Sequence, residues 1–80
     1  SQLSFYRKEL EKNPNDAAVL ANVGYWTTMK AGRMTPDPKD PNSETAQKTL
    51  LAEAEGYLRK AVEKDPNYSF AQGELARNLM

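Results

Sequence analysis

The sequence contains no cysteine and no histidine among its 80 residues. Without cysteine there is no disulfide and no thiolate nucleophile, and without either residue type the usual kind of zinc site is excluded. The absence of histidine also removes the side chain that most often acts as a general acid or base. The acidic residues that remain are predicted to lie on the solvent faces of helices. We therefore expect no enzymatic activity, no cofactor and no metal site.

The chain also lacks an excess of either charge and a long apolar run. Its 11 basic and 11 acidic residues give a formal net charge of zero, so nothing draws it electrostatically toward nucleic acid or an anionic membrane. No apolar stretch approaches the roughly 20 residues that a membrane-spanning helix needs, and no signal-peptide pattern is present. Its length suits one small domain. We expect no nucleic-acid partner and no membrane insertion.

One segment of the sequence occurs twice in similar form. Residues 7–15 read RKELEKNPN, and residues 59–67 read RKAVEKDPN, 52 positions later. In both copies a charged helical segment leads to a proline, which disfavours the α conformation in the residue before it and so ends the helix. An internal repeat in so short a chain indicates part of a helical repeat array. Such arrays usually present surfaces to other proteins.

The spacing of apolar residues at steps of three and four predicts an all-α fold of about four helices, one of them long. The first helix runs over residues 2–13 and ends at Pro14. Asp16 is a natural N-cap for the second helix. This helix fades over residues 30–32, and Gly32 is predicted to adopt the left-handed conformation that commonly ends a helix.

A proline-rich segment, residues 33–43, separates the second helix from the third and is predicted to be an inserted loop in a single domain of residues 1–80. The third helix begins after Ser43, or alternatively after Thr49, and ends at Pro66. The fourth begins near Ser69.

This loop also admits more specific interpretations. Its oxygen-bearing side chains are loosely spaced like those of a calcium loop, but the glycine that such loops need at their sharp turn is missing. These side chains are Asp37, Asp40, Asn42 and Glu44. Thr35 before Pro36 fits a proline-directed kinase site, although such dipeptides are common in ordinary loops. We favour a solvated connection without a ligand.

The order of these residues resembles the tetratricopeptide repeat, a helix–turn–helix unit of roughly 34 residues. Leu20, Val23 and Gly24 in the second helix are similar to the large–leucine–glycine pattern of the family. In the third helix, Ala54, Leu58 and Ala61 resemble the alanine–aromatic–alanine pattern of the family, and residues 65–67 resemble its closing turn. Half-repeats on either side are marked by Tyr6, Leu10 and Pro14 before, and by Leu75 and Ala76 after. The resemblance implies antiparallel helix pairs stacked as in an α-solenoid, with a function in protein–protein interaction.

Several positions depart from the family pattern. Pro14 and Pro66 are 52 residues apart, so the repeat carries about 18 more residues than the family's unit. Glu9 stands where a small alanine is usual, and Thr27 stands where an aromatic residue is usual. The chain holds one full repeat, whereas arrays normally need about three for stability. We therefore expect that neighbouring repeats, a partner or a second copy covers the ends.

The resemblance also implies a concave groove lined by the second and fourth helices. The groove positions are Ala18, Ala21, Asn22, Tyr25 and Thr28 or Met29, followed by Phe70, Gly73, Glu74 and Arg77. Among these, the candidate binding residues are Asn22, Tyr25, Met29, Phe70 and Arg77. Tyr25 would serve as an aromatic anchor and Arg77 as its polar partner, since both residue types are enriched at binding hot spots.

Two further interpretations concern this face. Asn22 matches an asparagine that family members use to hold a peptide carboxylate, but the lysines that accompany it are absent here. Trp26 is predicted to belong to the core and to face Tyr6 and Leu10 on the first helix.

The leading hypothesis is thus a module that binds another protein or a peptide in its groove. The alternative is a structural or assembly element without a groove ligand. In that case the end helices pack against neighbouring repeats or a second copy through Leu3, Tyr6, Leu75 and Leu79.

Overall fold

A computed structural model describes residues 1–79 and contains four helices. Helix α1 spans Gln2–Lys12, α2 spans Ala17–Arg33, α3 spans Pro41–Lys64 and α4 spans Ser69–Leu79. The predicted all-α fold with one long helix is confirmed, because α3 has 24 residues and the others have 11 to 17. None of these described helices is both long and apolar enough to cross a membrane.

Local side-chain chemistry sets most of the helix ends. The carboxylate of Asp16 accepts hydrogen bonds from the backbone N–H groups of Ala18 at 2.9 Å and Val19 at 3.4 Å, and so caps the start of α2 as predicted. Helix α1 ends at Lys12, two residues before Pro14, and α3 ends at Lys64, two residues before Pro66. Each proline thus turns the chain toward the next helix.

The predicted start of α3 was wrong. The helix begins at Pro41 with Asp40 as its N-cap, and the Asp40 carboxylate accepts a hydrogen bond of 2.9 Å from the N–H of Asn42. Proline is favourable in the first turn of a helix, where its missing N–H would have had no partner. Ser43 does not cap the helix, since its hydroxyl donates to the Asp40 carbonyl at 2.8 Å. The non-helical connection is residues 34–40.

The predicted role of Gly32 was also wrong. Gly32 lies inside α2, which continues to Arg33, and no residue within 1–79 has a positive φ. The helix ends instead because Met34 adopts an extended conformation with φ −71° and ψ 140°. Thr35 precedes Pro36 and is therefore disfavoured in the α region, so the chain leaves the helix at this point.

Helix α2 lies at the centre of the molecule and packs against all three other helices, whereas α1 packs against α2 alone among the described residues. Helices α2 and α3 are antiparallel. Gly24 meets Leu58, and further along α2 the carbonyl of Ala31 accepts a 2.8 Å hydrogen bond from the side chain of Gln47, earlier in α3. This bond holds the end of α2 against the first half of α3, beside the loop that connects the two helices.

The core between α2, α3 and α4 is built mainly from small residues. Its fully buried members are Leu20, Ala21, Val23, Thr27, Ala31, Ala54, Leu58, Ala61 and Ala71. Gly24 allows the closest approach, because a Cβ atom there would lie 2.7 Å from Cγ of Leu58 and 3.2 Å from the carbonyl oxygen of Ala54. The helices therefore pack at short distance, and every aromatic side chain of the described chain keeps some exposure to solvent.

Candidate functional site

Four aromatic side chains form a continuous series across α2 and the start of α4. Ring centroids are 5.0 Å apart for Trp26 and Tyr25, 5.8 Å for Tyr25 and Phe70, and 5.9 Å for Phe70 and Tyr68. All four residues are partly buried and keep part of their surface in solvent. We call these four residues the aromatic strip. Edge-to-face and tilted contacts at such distances are favourable geometries for aromatic rings.

The turn between α3 and α4 positions half of the aromatic strip. The carboxylate of Asp65 accepts a 3.1 Å hydrogen bond from the N–H of Asn67, and its carbonyl accepts one of 3.1 Å from the N–H of Tyr68. The side-chain amide of Gln72 donates to the carbonyl of Pro66 and ties the turn to the first turn of α4. Tyr68 and Phe70 also pack against the buried core. The hydrogen bonds of this turn and the packing against the core thus fix the positions of Tyr68 and Phe70.

The structure brings two of the five candidate binding residues into contact, namely Tyr25 and Phe70. Asn22 uses its side-chain amide within its own helix and donates to the Ala18 carbonyl at 2.8 Å. The Arg77 guanidinium lies 3.4 Å from the carboxylate of Glu74, with 63% of its side chain exposed. Met29, the fifth candidate, lies on α2 and is partly buried.

Two expectations for this region were wrong. Ala21 was predicted to line a groove, but it is fully buried in the core and offers no surface to a ligand. Trp26 was predicted to be a core residue that faces α1, but it is only partly buried; it does border α1, where it lines a cleft with Leu3 and Arg7.

Asn78 makes a contact that the sequence analysis did not find. Its side-chain amide donates to the hydroxyl of Thr28 at 3.3 Å, and that hydroxyl donates to the carbonyl of Gly24 at 2.9 Å. Together with the contact of Tyr25 and Phe70, this bond shows that α2 and α4 run in the same direction, since both partners advance together along the chain. An isolated asparagine near the end of a helix gives no sequence signal for such a contact.

Two clefts lie next to the aromatic strip. One, of about 440 Å³, lies between the start of α1 and the end of α2 and includes Trp26. The other, of about 410 Å³, lies at the two interhelical turns and includes Tyr68, Asp16 and Asp65. None of the five candidate binding residues lines either cleft. The aromatic strip therefore reaches from one cleft to the other.

The loop does not bring its acidic residues together. The Asp37 carboxylate accepts a 2.9 Å hydrogen bond from the N–H of Lys39, and that of Asp40 is used as the cap of α3. Across residues 1–79, no three acidic side chains are grouped so that they could hold a metal ion. The calcium interpretation of this segment is therefore not supported by its geometry.

No protein-family model matches this chain, and comparisons with curated proteins and with solved structures give no significant match. The function is therefore inferred from the residues of the chain and their arrangement.

Proposed function

We propose that this chain is a tetratricopeptide-type protein interaction module that binds a peptide or partner segment along the face of α2 and α4. The aromatic strip is the observation that carries this proposal. Partly exposed tyrosine, tryptophan and phenylalanine supply large contact areas with few rotatable bonds, and tyrosine and tryptophan are enriched among residues that dominate binding energy. The role is one of binding and involves no catalytic chemistry of its own.

The packing of the helices supports the tetratricopeptide part of the proposal. Gly24 and Ala54 meet where α2 and α3 approach most closely, and small residues at such a crossing are what the sequence resemblance implies. The parallel course of α2 and α4 is expected when the first helices of successive repeats lie side by side. If further repeats stacked on this chain in the same way, the aromatic strip would lie on the concave face of the resulting array.

Arg77 supplies a polar contact at the edge of this face. Its ion pair with Glu74 joins positions three residues apart, and the Arg77 side chain is 63% exposed whereas the Glu74 side chain is only 12% exposed. The remaining N–H groups of the Arg77 guanidinium can therefore donate to a carboxylate of a bound segment while the contact with Glu74 is kept. Asn22 retains acceptor capacity at its side-chain oxygen while its amide group bonds to Ala18.

A displayed library of random peptides, selected on the wild-type chain, tests the proposal. We expect the selected peptides to lose at least roughly tenfold in affinity for a Tyr25→Asp, Arg77→Glu variant, because hot-spot changes cost about 2 kcal/mol or more. The matched control is Phe5→Asp, Arg59→Glu. Phe5 lies on α1, outside the aromatic strip, and is 55% exposed. Arg59, like Arg77, forms an ion pair within its own helix, with Glu55 at 3.2 Å.

Circular dichroism should show that both variants keep the helical content of the wild type. Selected peptides that bind the two variants equally well would contradict a binding role for the α2–α4 face.

A second candidate function is assembly through the end helices, and one observation favours it. Phe5 and Leu79 are 55% and 53% exposed on the outer helices α1 and α4, whereas Leu3, Tyr6 and Leu75 are partly buried. Sedimentation analysis distinguishes this candidate from the first. Self-association that a Phe5→Ser, Leu79→Ser variant abolishes would favour assembly, and a wild-type chain that stays monomeric at high concentration would contradict self-association.

A further inference from the structure

The cleft between α1 and α2 has an unbalanced set of charges. Its lining includes three cationic side chains and no acidic one. The residues that line it are Ser1, Gln2, Leu3, Ser4, Arg7, Trp26, Lys30 and Arg33. In a chain with equal numbers of acidic and basic residues, a cleft with one sign of charge is a local feature that the overall composition conceals.

The three cations of this cleft have no ion-pair partner among residues 1–79. The four ion pairs in that part of the chain involve Lys12, Lys48, Arg59 and Arg77. Each of those pairs is formed within one helix between residues three or four positions apart. Arg7, Lys30 and Arg33 take part in none of them, so no carboxylate of the described chain lies within ion-pair distance of these three charges.

Stabilisation of the α2 helix explains only part of this arrangement. Lys30 and Arg33 lie in the last turn of α2, where cations interact favourably with the helix dipole. Arg7 belongs to a different helix, α1, and lies at its middle, where a positive charge gains little from the dipole because the effect is confined to the first and last turns. Docking of α1 on α2 nevertheless brings all three cations to one cleft, at the electrostatic cost of placing like charges together.

An apolar surface lies beside these charges. Trp26 and Leu3 line the same cleft, and Trp26 is partly buried with its ring edge-on to Tyr25 at 5.0 Å. A ligand that suits this cleft therefore combines negative charge with an apolar group. The volume of about 440 Å³ lies within the usual range for ligand sites.

We propose that the cleft between α1 and α2 binds an acidic segment of a partner protein. Carboxylates of the segment pair with Arg7, Lys30 and Arg33, and a neighbouring apolar side chain packs on Trp26 and Leu3. Arginine is well suited to this role because its guanidinium can hold a carboxylate through two hydrogen bonds. This site goes beyond the proposed groove and does not depend on it, since none of the candidate groove residues lines the cleft.

The probe is a short fluorescein-labelled peptide of glutamate and leucine, followed by fluorescence anisotropy at low and high salt. We expect binding to weaken as salt increases, and to be lost for a peptide with glutamine in place of glutamate. A Lys30→Gln, Arg33→Gln variant should bind roughly two- to thirtyfold more weakly, as expected for the loss of two exposed ion pairs.

The matched control for this variant is Lys8→Gln, Lys60→Gln. Both lysines are exposed, neither lines the cleft, and neither belongs to an ion pair within residues 1–79. The control removes the same formal charge and should retain wild-type affinity. Arg7→Gln is a second test from the other helix and should also weaken binding, while α2 is unchanged.

Three results would overturn the proposal. Equal losses in the cleft variant and the control would show that net charge alone attracts the peptide. A glutamine peptide that binds as well as the glutamate peptide would exclude charge recognition. Tighter binding of an RNA oligonucleotide or of vesicles containing an anionic lipid, lost in the cleft variant, would assign the cleft to another class of partner.

An Arg77→Gln variant separates this proposal from the proposed function, because Arg77 is an exposed candidate residue of the α2–α4 face and does not line the cleft. If this change alone abolishes binding of the acidic peptide, the peptide binds the α2–α4 face and the cleft proposal fails while the groove hypothesis survives. If only the cleft variants lose the peptide, the cleft proposal stands whatever the fate of the groove.

Discussion

Helices α2 and α3 contribute most of the buried residues of the described chain, whereas α1 contributes none. The α2–α3 pair is held by side chains that are fully excluded from solvent and by the close approach at Gly24. Helix α1 is held on one side only, by partly buried residues such as Leu3, Tyr6 and Leu10. Regions with few buried apolar contacts open at lower free energy than the core. We therefore expect α1 to detach from α2 before the rest of the molecule unfolds.

The largest expected effect comes from shortening the same residue type in the two regions. Leu58 is fully buried, and Leu58→Ala should lower the free energy of unfolding by about 2–5 kcal/mol, because it leaves a cavity between α2 and α3. Leu10 of α1 is only partly buried, and Leu10→Ala should lower it by about 1 kcal/mol. Urea unfolding followed by circular dichroism measures both. Equal losses would contradict the difference between the two regions.

A smaller effect is expected from adding one methyl group to a glycine. Gly24→Ala places Cβ 2.7 Å from Leu58 Cγ, and the resulting strain should destabilise the fold by about 1–3 kcal/mol. Gly56→Ala is the matched control, since Gly56 lies inside α3 with no atom within 4 Å of the added Cβ. It should stabilise the chain by roughly 0.5–1 kcal/mol, because alanine favours helix more than glycine does. Thermal unfolding of both variants gives the sign of each change.

The smallest expected effect concerns a hydroxyl group inside the α2–α3 core. Thr27 is fully buried, and its hydroxyl has no hydrogen-bond partner within residues 1–79. Thr27→Val keeps the shape and removes the unsatisfied group, so it should stabilise the fold by about 1 kcal/mol. Thr28→Val is the control and should destabilise it, because that hydroxyl donates to Gly24 and accepts from Asn78. Urea unfolding measures both changes. A loss of stability in Thr27→Val would contradict the prediction that the unsatisfied hydroxyl destabilises the core.

Helix ends that depend on neighbouring residues could be predicted from the sequence. Pro14 and Asp16 act within a few positions of where they stand, and so does Pro66. The start of α3 was missed because Pro41 was interpreted as a helix breaker, although proline in the first turn favours a helix. Gly32 was misassigned because the following prolines, and not a left-handed residue, end α2.

The candidate site was harder to predict, because its contacts join distant parts of the chain. Tyr25 and Phe70 were identified as binding residues, but their contact depends on α2 lying beside α4. Ala21 was misplaced for the same reason, since a helical pattern alone does not show which small residue is covered by a neighbour. Arg7 and Arg33 line the same cleft only because α1 packs against α2, and the sequence does not show this packing.

The position of Trp26 has an optical consequence. It is the only tryptophan of the chain, and it lies in the seam where α1 meets α2, partly shielded from water. If α1 lifts away, the indole gains water contact and its emission maximum should move to longer wavelength. The ellipticity of the α2–α3 pair should change little at that stage. Trp26 fluorescence thus reports on the contact between α1 and α2. A single titration followed by both fluorescence and circular dichroism should therefore distinguish detachment of α1 from unfolding of the whole chain.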